Sequence, residues 1–416
     1  MKKADVIIIG AGAAGLMTAV NIGKNLNKKA DIIVLEHKEK PGKKLLATGN
    51  GRCNFANDVI DDESFRGTNS SFAYKLINEF TKENLLDLFY EIGVMNTSIN
   101  GYYYPRSLQA TTVVDALINY IDLYNIKIKC DENVLELKHS KGNYHIVTQN
   151  EEYLSKYVVL ATGGKSYKTL GSDGSGYKLA KSFGHTVTAL YPSLIGLKAS
   201  GLDFKMASGV RAKGVVSLYM KDKVICEQEG EIQFADYGIS GIPVFQISRY
   251  ASEIIASGKK AVVSVDLVKE YDILDIKNIL SEVLKANKKQ NILNALNAFI
   301  PLKLAKAILK RQKINIEDTH KQIDNCKLLS IASEMKQLKL SIEGDLGFDK
   351  AQVTAGGVNT DEIDNKTLES KKIKNLFIVG EILDIDGNCG GYNLHFAFAC
   401  GKNAGETISE RINNNE

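Results

Sequence analysis

The residues whose types and spacing could do chemistry are three glycines near the start of the chain, one acid beyond them, and two later glycine-rich turns. Gly10, Gly12 and Gly15 follow the apolar run Val6 to Ile9, and Glu36 closes a second apolar run, Asp31 to Leu35. Gly10 permits a tight turn. Gly12 lets a pyrophosphate reach the backbone, and Gly15 lets a helix pack close to the strand. The helical pattern that follows, Leu16 to Leu26, presents unpaired N–H donors and a positive dipole end to an anion, and Ala13 and Ala14 in the turn before it are further cofactor-binding candidates. Glu36 stands at about the 20-residue distance at which an acidic side chain holds ribose hydroxyls. Strand, glycine turn, helix and acid together indicate a dinucleotide site. Lys2 and Lys3 ahead of an apolar run also fit a leader peptide, but three glycines at this spacing would weaken a hydrophobic helix.

The stretch Pro41 to Asn54 is dense in Gly, Asn and Lys. It is expected as a loop along the cofactor, with Lys43, Lys44, Thr48, Gly49, Asn50, Gly51, Arg52, Cys53 and Asn54 as its lining. Its basic groups could neutralise phosphate or pair with a carbonyl that gains charge; a solvated basic turn is the plainer alternative. A third apolar run, Tyr157 to Ala161, leads into Thr162-Gly163-Gly164, a second close backbone approach whose natural candidate is the adenosine end; Val134 is a further cofactor-binding candidate. Near the other end, Leu376 to Val379 runs into Gly380-Glu381, with Asp384 beyond. Then Gly390-Gly391-Tyr392-Asn393-Leu394 opens a helix from His395 to Ile412. Its N–H groups, aimed at an isoalloxazine ring, would stabilise negative charge on reduced flavin, and Asp384 could hold the ribityl hydroxyls. The pattern yields no catalytic acid or base; Tyr104, Arg106, Tyr392 and His395 are candidates for the substrate pocket.

The elements that must hold these residues are those of an α/β protein with a Rossmann-like, two-dinucleotide-binding-type domain. Helices are expected over residues 72–93 and Thr112 to Tyr124. An antiparallel excursion is expected at Ile126–Cys130, Val134–His139 and Tyr144–Gln149. Residues 1–187 form the first part of the nucleotide domain. Residues 188–268 read as a β-rich, barrel-like insertion and 269–336 as a helical one. Residues 337–416 return to the nucleotide domain.

Composition excludes several classes. A net charge of +4 on 416 residues gives no general case for nucleic acid or membrane. No apolar run reaches the ~18 residues of a spanning helix. The six cysteines and six histidines are dispersed, so neither a disulfide framework nor a metal site is expected, and a reduced, cytoplasmic setting is. No second G-x-G-x-x-G exists for a dedicated nicotinamide domain. Either NAD(P)H docks transiently or the substrate itself reduces the cofactor. No dithiol pair exists either, and Cys53 and Cys389 read as buried structural thiols. The Lys288-Lys289 and Lys310 to Lys313 clusters read as solvated faces rather than a nucleic-acid patch.

With both ends in view, the sequence resembles the BaiN/YhiN-like, or aminoacetone-oxidase-family, FAD-binding flavoproteins. The matching motifs are GAGAAG from Gly10, GKKLLATGNGRCN at Gly42–Asn54, ATGG at Ala161–Gly164 and GEIQFADYGISG at Gly230–Gly241. TAGGV at Thr354–Val358 and the long run Gly380–Gly405 complete the set. The resemblance implies FAD, a reductase or oxidase acting on a small organic substrate, and two insertions. One relative reduces a steroid-type double bond. Lys168 stands where relatives often have Pro, and His395 where many have Gln; both bear on the pocket rather than on FAD. An RNA-modifying or RNA-associated flavoprotein and a non-catalytic flavin sensor are the alternatives. The oligomeric state is left open.

Overall fold

The computed structural model describes residues 1–61 and 63–414. The chain divides into two compact units, residues 1–190 with 352 onward, and residues 191–351.

In the first unit, β1 (Lys2–Ile9) leads into α1 (Ala13–Leu26) and β2 (Ile32–Leu35). Further along come β3 (Lys127–Lys129), β4 (Val134–Ser140), β5 (Asn143–Thr148), β6 (Glu152–Leu160) and, near the end, β7 (Leu376–Ile378). The sheet runs β3-β2-β1-β6, all parallel. On its far edge, β6 pairs with antiparallel β5 along its first residues and with parallel β7 along its last. Val6, Ile7, Ile8 and all of β2 are buried, as strands covered on both faces require. The expected antiparallel excursion is therefore only β4 and β5. The helix Ala110–Leu123 carries the chain back across the sheet, so β3 after it runs parallel to β2.

The expected helix over 72–93 is two helices, Ser71–Glu79 and Lys82–Glu91. Thr81 breaks the run because its extended backbone caps the second helix in a reciprocal box with Asn84. The last helix, α4 (Tyr392–Asn413), packs on α1; α2 (Lys43–Ala47) and α3 (Ser175–Ser182) come between them in the chain. A β-carbon at Gly401 would lie 2.4 Å from the Ala14 carbonyl oxygen, and one at Gly405 2.9 Å from that of Thr18. A step of four on one helix matches a step of four on the other. The helices are therefore parallel, with backbones in contact where side chains normally intervene. Both start at the same end, with α4 reaching further out than α1.

In the second unit, six strands close a barrel in the order 197–200, 238–240, 223–235, 211–220, 261–266, 338–345. The helix Ile242–Ala256 and the helices Ile273–Ala286, Ile292–Leu296, Leu302–Arg311 and Asn325–Lys336 share one apolar core with it. The β-rich and helical stretches, read separately in the sequence, are thus one body. Its sixth strand, Leu338–Asp345, belongs to this barrel and not to the nucleotide domain expected for residues 337–416. Leu338, Leu340 and Ile342 face inward and alternate with exposed Lys339, Ser341 and Glu343, and pairing with Ala261–Val265 satisfies an otherwise open edge. Among the described residues no helix is long and apolar enough to cross a membrane.

Gly401→Ala is expected to destabilise the protein by about 1–3 kcal/mol, because the methyl group meets main chain rather than a movable side chain. Thermal unfolding measures it; an unchanged midpoint would contradict the close helix contact.

Candidate functional site

Strands β1, β2, β6 and β7 end at one edge of the sheet. There the chain continues as Gly10–Gly12, Glu36–Lys38, Ala161–Gly164 and Val379–Glu381. Because β1 lies between β2 and β6, the strand order reverses at β1, and such a switch point is the usual ligand position in these sheets. The three glycines there differ. Gly10 has φ +105°, and a β-carbon on it would lie 2.4 Å from the Ala161 carbonyl oxygen. One on Gly15 would lie 2.0 Å from the Gly10 oxygen. Both are needed for packing. A β-carbon at Gly12 meets nothing within 4 Å. Gly12 caps α1 with no side-chain hydrogen bond, and the first turn carries no acid, so the N–H groups of Ala13, Ala14 and Gly15 lack intrahelical acceptors. Glu36 is buried beside them. One of its oxygens accepts the Ala11 N–H (2.8 Å) and the other the Lys38 N–H (2.9 Å). This fixes the carboxylate and leaves lone pairs for a diol. Val134 lies two residues beyond Glu132, whose N–H donates to the Glu36 carbonyl (2.9 Å).

The basic stretch is not a loop throughout. Lys43 to Ala47 form α2, and Thr48 to Gly51 a 3-10 turn in which Gly49 and Asn50 are left-handed. Gly51 and Cys53 share positive φ. Left-handed Asn50 and Cys53 each cost about 1–2 kcal/mol, a strain that tends to gather at ligand-binding turns. Thr48 ties the turn by donating to the Leu45 carbonyl (2.6 Å). Lys43 pairs with Glu39 (2.9 Å) and Lys44 with Glu381 (2.6 Å). Of the basic groups expected to meet phosphate, Arg52 alone has no carboxylate partner among the described residues. Cys53 is buried and its thiol is pushed up to about 12 by that burial.

Glu381 also accepts the Thr354 N–H (3.0 Å), and the Thr354 hydroxyl accepts the N–H groups of Lys165 (2.8 Å) and Ser166 (3.1 Å). Thr354 thus ties the loop after β6 to the loop after β7. Sequence reading missed this role; the Thr-Ala-Gly-Gly run after an apolar stretch was its signal. Gly163, with φ +70°, sits against Ser172. Around this edge, Thr162 Oγ1, Asn54 Oδ1 and the Tyr177 hydroxyl at the start of α3 are buried with no hydrogen-bond partner among the described residues, and burial raises the Tyr177 phenol.

Gly380 (φ +78°) is wedged between the starts of α1 and α4, where a β-carbon would lie 2.8 Å from Ala14 Cβ and 3.8 Å from Ala397 Cβ. Gly390 and Gly391 have positive φ and lie against the Tyr102 ring and the Ala56 backbone. Asn57 donates to the Gly390 carbonyl (2.9 Å). Asn393 accepts the Gly387 N–H (2.8 Å) and donates to the Gly387 carbonyl (2.9 Å), so its amide braces the loop. Leu394 is half-buried. Asp384 is buried and accepts both the N–H (3.2 Å) and hydroxyl (2.5 Å) of Thr68; this oxygen is committed to the protein, which limits its expected hold on ribityl. The helix itself starts at Tyr392, three residues before the expected His395, because left-handed Gly391 is its cap.

The pocket candidates separate. His395 is buried in the first turn of α4 and its Nε2–H donates to the Phe80 carbonyl (2.8 Å). Burial lowers it to about 4, so it is a structural brace rather than a pocket residue. The Tyr392 hydroxyl donates to the Val59 carbonyl (2.8 Å), and Arg106 is exposed. Tyr104 is half-buried and keeps an unengaged hydroxyl among the described residues.

Residues 4–407 match the profile described as HI0933-like protein Rossmann domain. The chain belongs to this family. These are FAD-binding flavoproteins of the BaiN/YhiN-like group, and their fold is that of FAD-dependent oxidoreductases. The chain is 38% identical over 404 residues to the 3-dehydro-bile acid delta(4,6)-reductase of Clostridium scindens, covering 97% of this chain and 98% of that one. It is 28% identical over 407 residues to the ribosomal RNA dihydrouridine synthase of Escherichia coli, covering 96% of each. In fold it is similar to a quinol-fumarate reductase (TM-score 0.53, 16% identity), covering 100% of this chain and 72% of that chain.

His395 is neutral at pH 7. Its folded-state value lies below its unfolded value of 6.5, so the stability it contributes is full above about 6.5 and is lost as pH falls toward 4. That loss is expected to be on the order of 3 kcal/mol. Denaturant melts of wild type and His395→Gln across this range measure it; an identical pH slope in both would contradict the brace.

Proposed function

We propose that the protein is an FAD-dependent reductase of carbon–carbon double bonds conjugated with a carbonyl, drawing electrons from NAD(P)H that docks transiently. One observation carries this: two full-length relatives are named for reactions of one chemical kind. A 3-dehydro bile acid with Δ4,6 unsaturation is a conjugated dienone. Dihydrouridine is uridine reduced at the double bond conjugated with its C4 carbonyl. The substrates differ in size; the bond reduced does not.

FAD fits the residues present. The open side of Gly12, the uncapped N–H groups of Ala13 to Gly15 and the partnerless Thr162 hydroxyl support a nucleotide at the sheet edge. In this reading those N–H groups take the pyrophosphate and Glu36 the ribose. Val134, Thr162 and Gly163 take the adenosine end. Lys44, Glu381 and Gly380 lie behind the chain of the cofactor, and Thr48 to Asn54 and Gly390 to Leu394 around its ring. Bound FAD supplies the hydride chemistry. Arg52 polarises the substrate carbonyl as it gains negative charge. Helix α4, with no side-chain cap and no acid in its first turn, presents N–H groups to an anionic reduced ring.

A second reading takes RNA as the partner. Residues 191–351 carry 24 Lys and Arg against 19 Asp and Glu, the rest of the chain 29 against 30. This modest excess, with the Escherichia coli relative, favours an RNA-borne substrate over a free one only if binding is electrostatic.

Purified protein is expected to be yellow, and its anaerobically reduced form to be reoxidised by a 3-oxo-4,6-diene bile acid. No reoxidation by any conjugated ketone would sink the reading. Gly12→Ala is expected to weaken FAD binding at least tenfold with an unchanged apoprotein melting midpoint; equal affinity would remove Gly12 from the site. RNA binding that falls steeply between about 50 and 200 mM salt would favour the second substrate, and a flat response the first.

A further inference from the structure

The reduction needs a proton at the carbon next to the carbonyl, and the functional reading above names no donor. The hairpin Asn96–Ile99 with Tyr102–Pro105 offers one. Side chains alternate along a strand, so Tyr102 and Tyr104 share a face and Tyr103 has the other. The face of Tyr103 is fully engaged: its hydroxyl donates to Asp58 (2.9 Å), and Lys82, 2.6 Å from Asp58, lies 4.9 Å over its ring. The opposite face meets both turns assigned to the flavin. Tyr102 lies against Gly390, where a β-carbon would come within 2.5 Å of its ring, and Tyr104 against Gly49 at 3.7 Å. Neither hydroxyl has a hydrogen-bond partner among the described residues, although both side chains are half-buried. Nearby tyrosines behave differently: Tyr103 and Tyr392 each donate to a protein oxygen.

We propose that the Tyr104 hydroxyl is the proton donor of the reduction. This rests on the conjugated-ketone reading. Tyr104 is distinguished from Tyr102 by its place: it packs on the Gly49 turn that leads into Arg52, whose charge acts on its phenol. Burial raises both phenols, and Arg52 offsets part of that at Tyr104. Arg52 therefore favours the phenolate that a donor leaves behind and lies near the carbonyl that gains charge. In the balanced step, the carbon–carbon π bond breaks. Bound FAD, reduced by a dihydronicotinamide, would supply the hydride for the C–H bond at the β-carbon. The Tyr104 proton forms the C–H bond at the α-carbon. The resulting phenolate takes a proton from water.

The test compares wild type, Tyr104→Phe and Tyr102→Phe as holoproteins, with a 3-oxo-4,6-diene bile acid as the probe. Three quantities are followed: reoxidation of the reduced flavoprotein in H2O and D2O, reduction by NADPH, and dissociation constant of the probe by calorimetry. Tyr104→Phe is expected to slow reoxidation at least 100-fold and to abolish its solvent isotope effect. Probe affinity and NADPH reduction should stay within about threefold, and Tyr102→Phe should stay near wild type. Reoxidation of Tyr104→Phe at the wild-type rate overturns the assignment. So does a loss of probe affinity matching the loss of rate, which would make Tyr104 a binding group. If the wild type itself is not reoxidised, the conjugated-ketone reading fails first, and the donor role with it.

Discussion

The nucleotide-binding unit depends on one contact, the backbone-to-backbone packing of α1 on α4. Helix pairs usually stand 8–10 Å apart because side chains fill the gap. Here Gly401 and Gly405 remove the side chains, and carbonyls of Ala14 and Thr18 occupy their place. The parallel direction matters as much as the distance, since it sends both helix starts to the sheet edge where β1, β2, β6 and β7 end. Gly380, wedged between Ala14 and Ala397, fixes the separation of those starts. Two partial positive charges, contributed from opposite ends of the sequence, therefore face the same side of one sheet.

Most of the charged side chains near this edge brace the protein rather than await a ligand. Glu36 holds two backbone amides, Glu381 holds Lys44 and Thr354, and Asp384 holds Thr68. Such fixed groups cost little reorganisation when a charged ligand arrives. Among the described residues, the groups near this edge without protein partners are different in kind and include Arg52, Tyr104 and the Thr162 hydroxyl. That division, rather than the number of polar residues, is what separates framework from chemistry here.

The glycine spacing made the nucleotide unit legible because each glycine answers a local demand of turn, approach or packing. The apolar runs were legible as parallel strands because burial on both faces leaves no alternation. Legibility ended where long-range contacts decide. The break at Thr81 has only a short local mark, its capping box with Asn84, inside an otherwise amphipathic run, and the short polar strand β3 gives no sign of its direction. Leu338 to Asp345 read as a strand, but only pairing with Ala261 to Val265 assigns it to the barrel. His395 looked like a pocket group because it follows a glycine turn; its bond to Phe80, 315 positions away, removes it. Lys44 looked free for phosphate until Glu381 met it.

The central claim is that the starts of α1 and α4 serve one bound cofactor. Amide hydrogen exchange, with and without FAD, tests it most directly. The account predicts that FAD slows exchange together at residues 12–15 and 391–394, leaving the barrel of residues 197–345 unchanged. Protection at the first helix start alone, with the second exchanging as in the apoprotein, would contradict it.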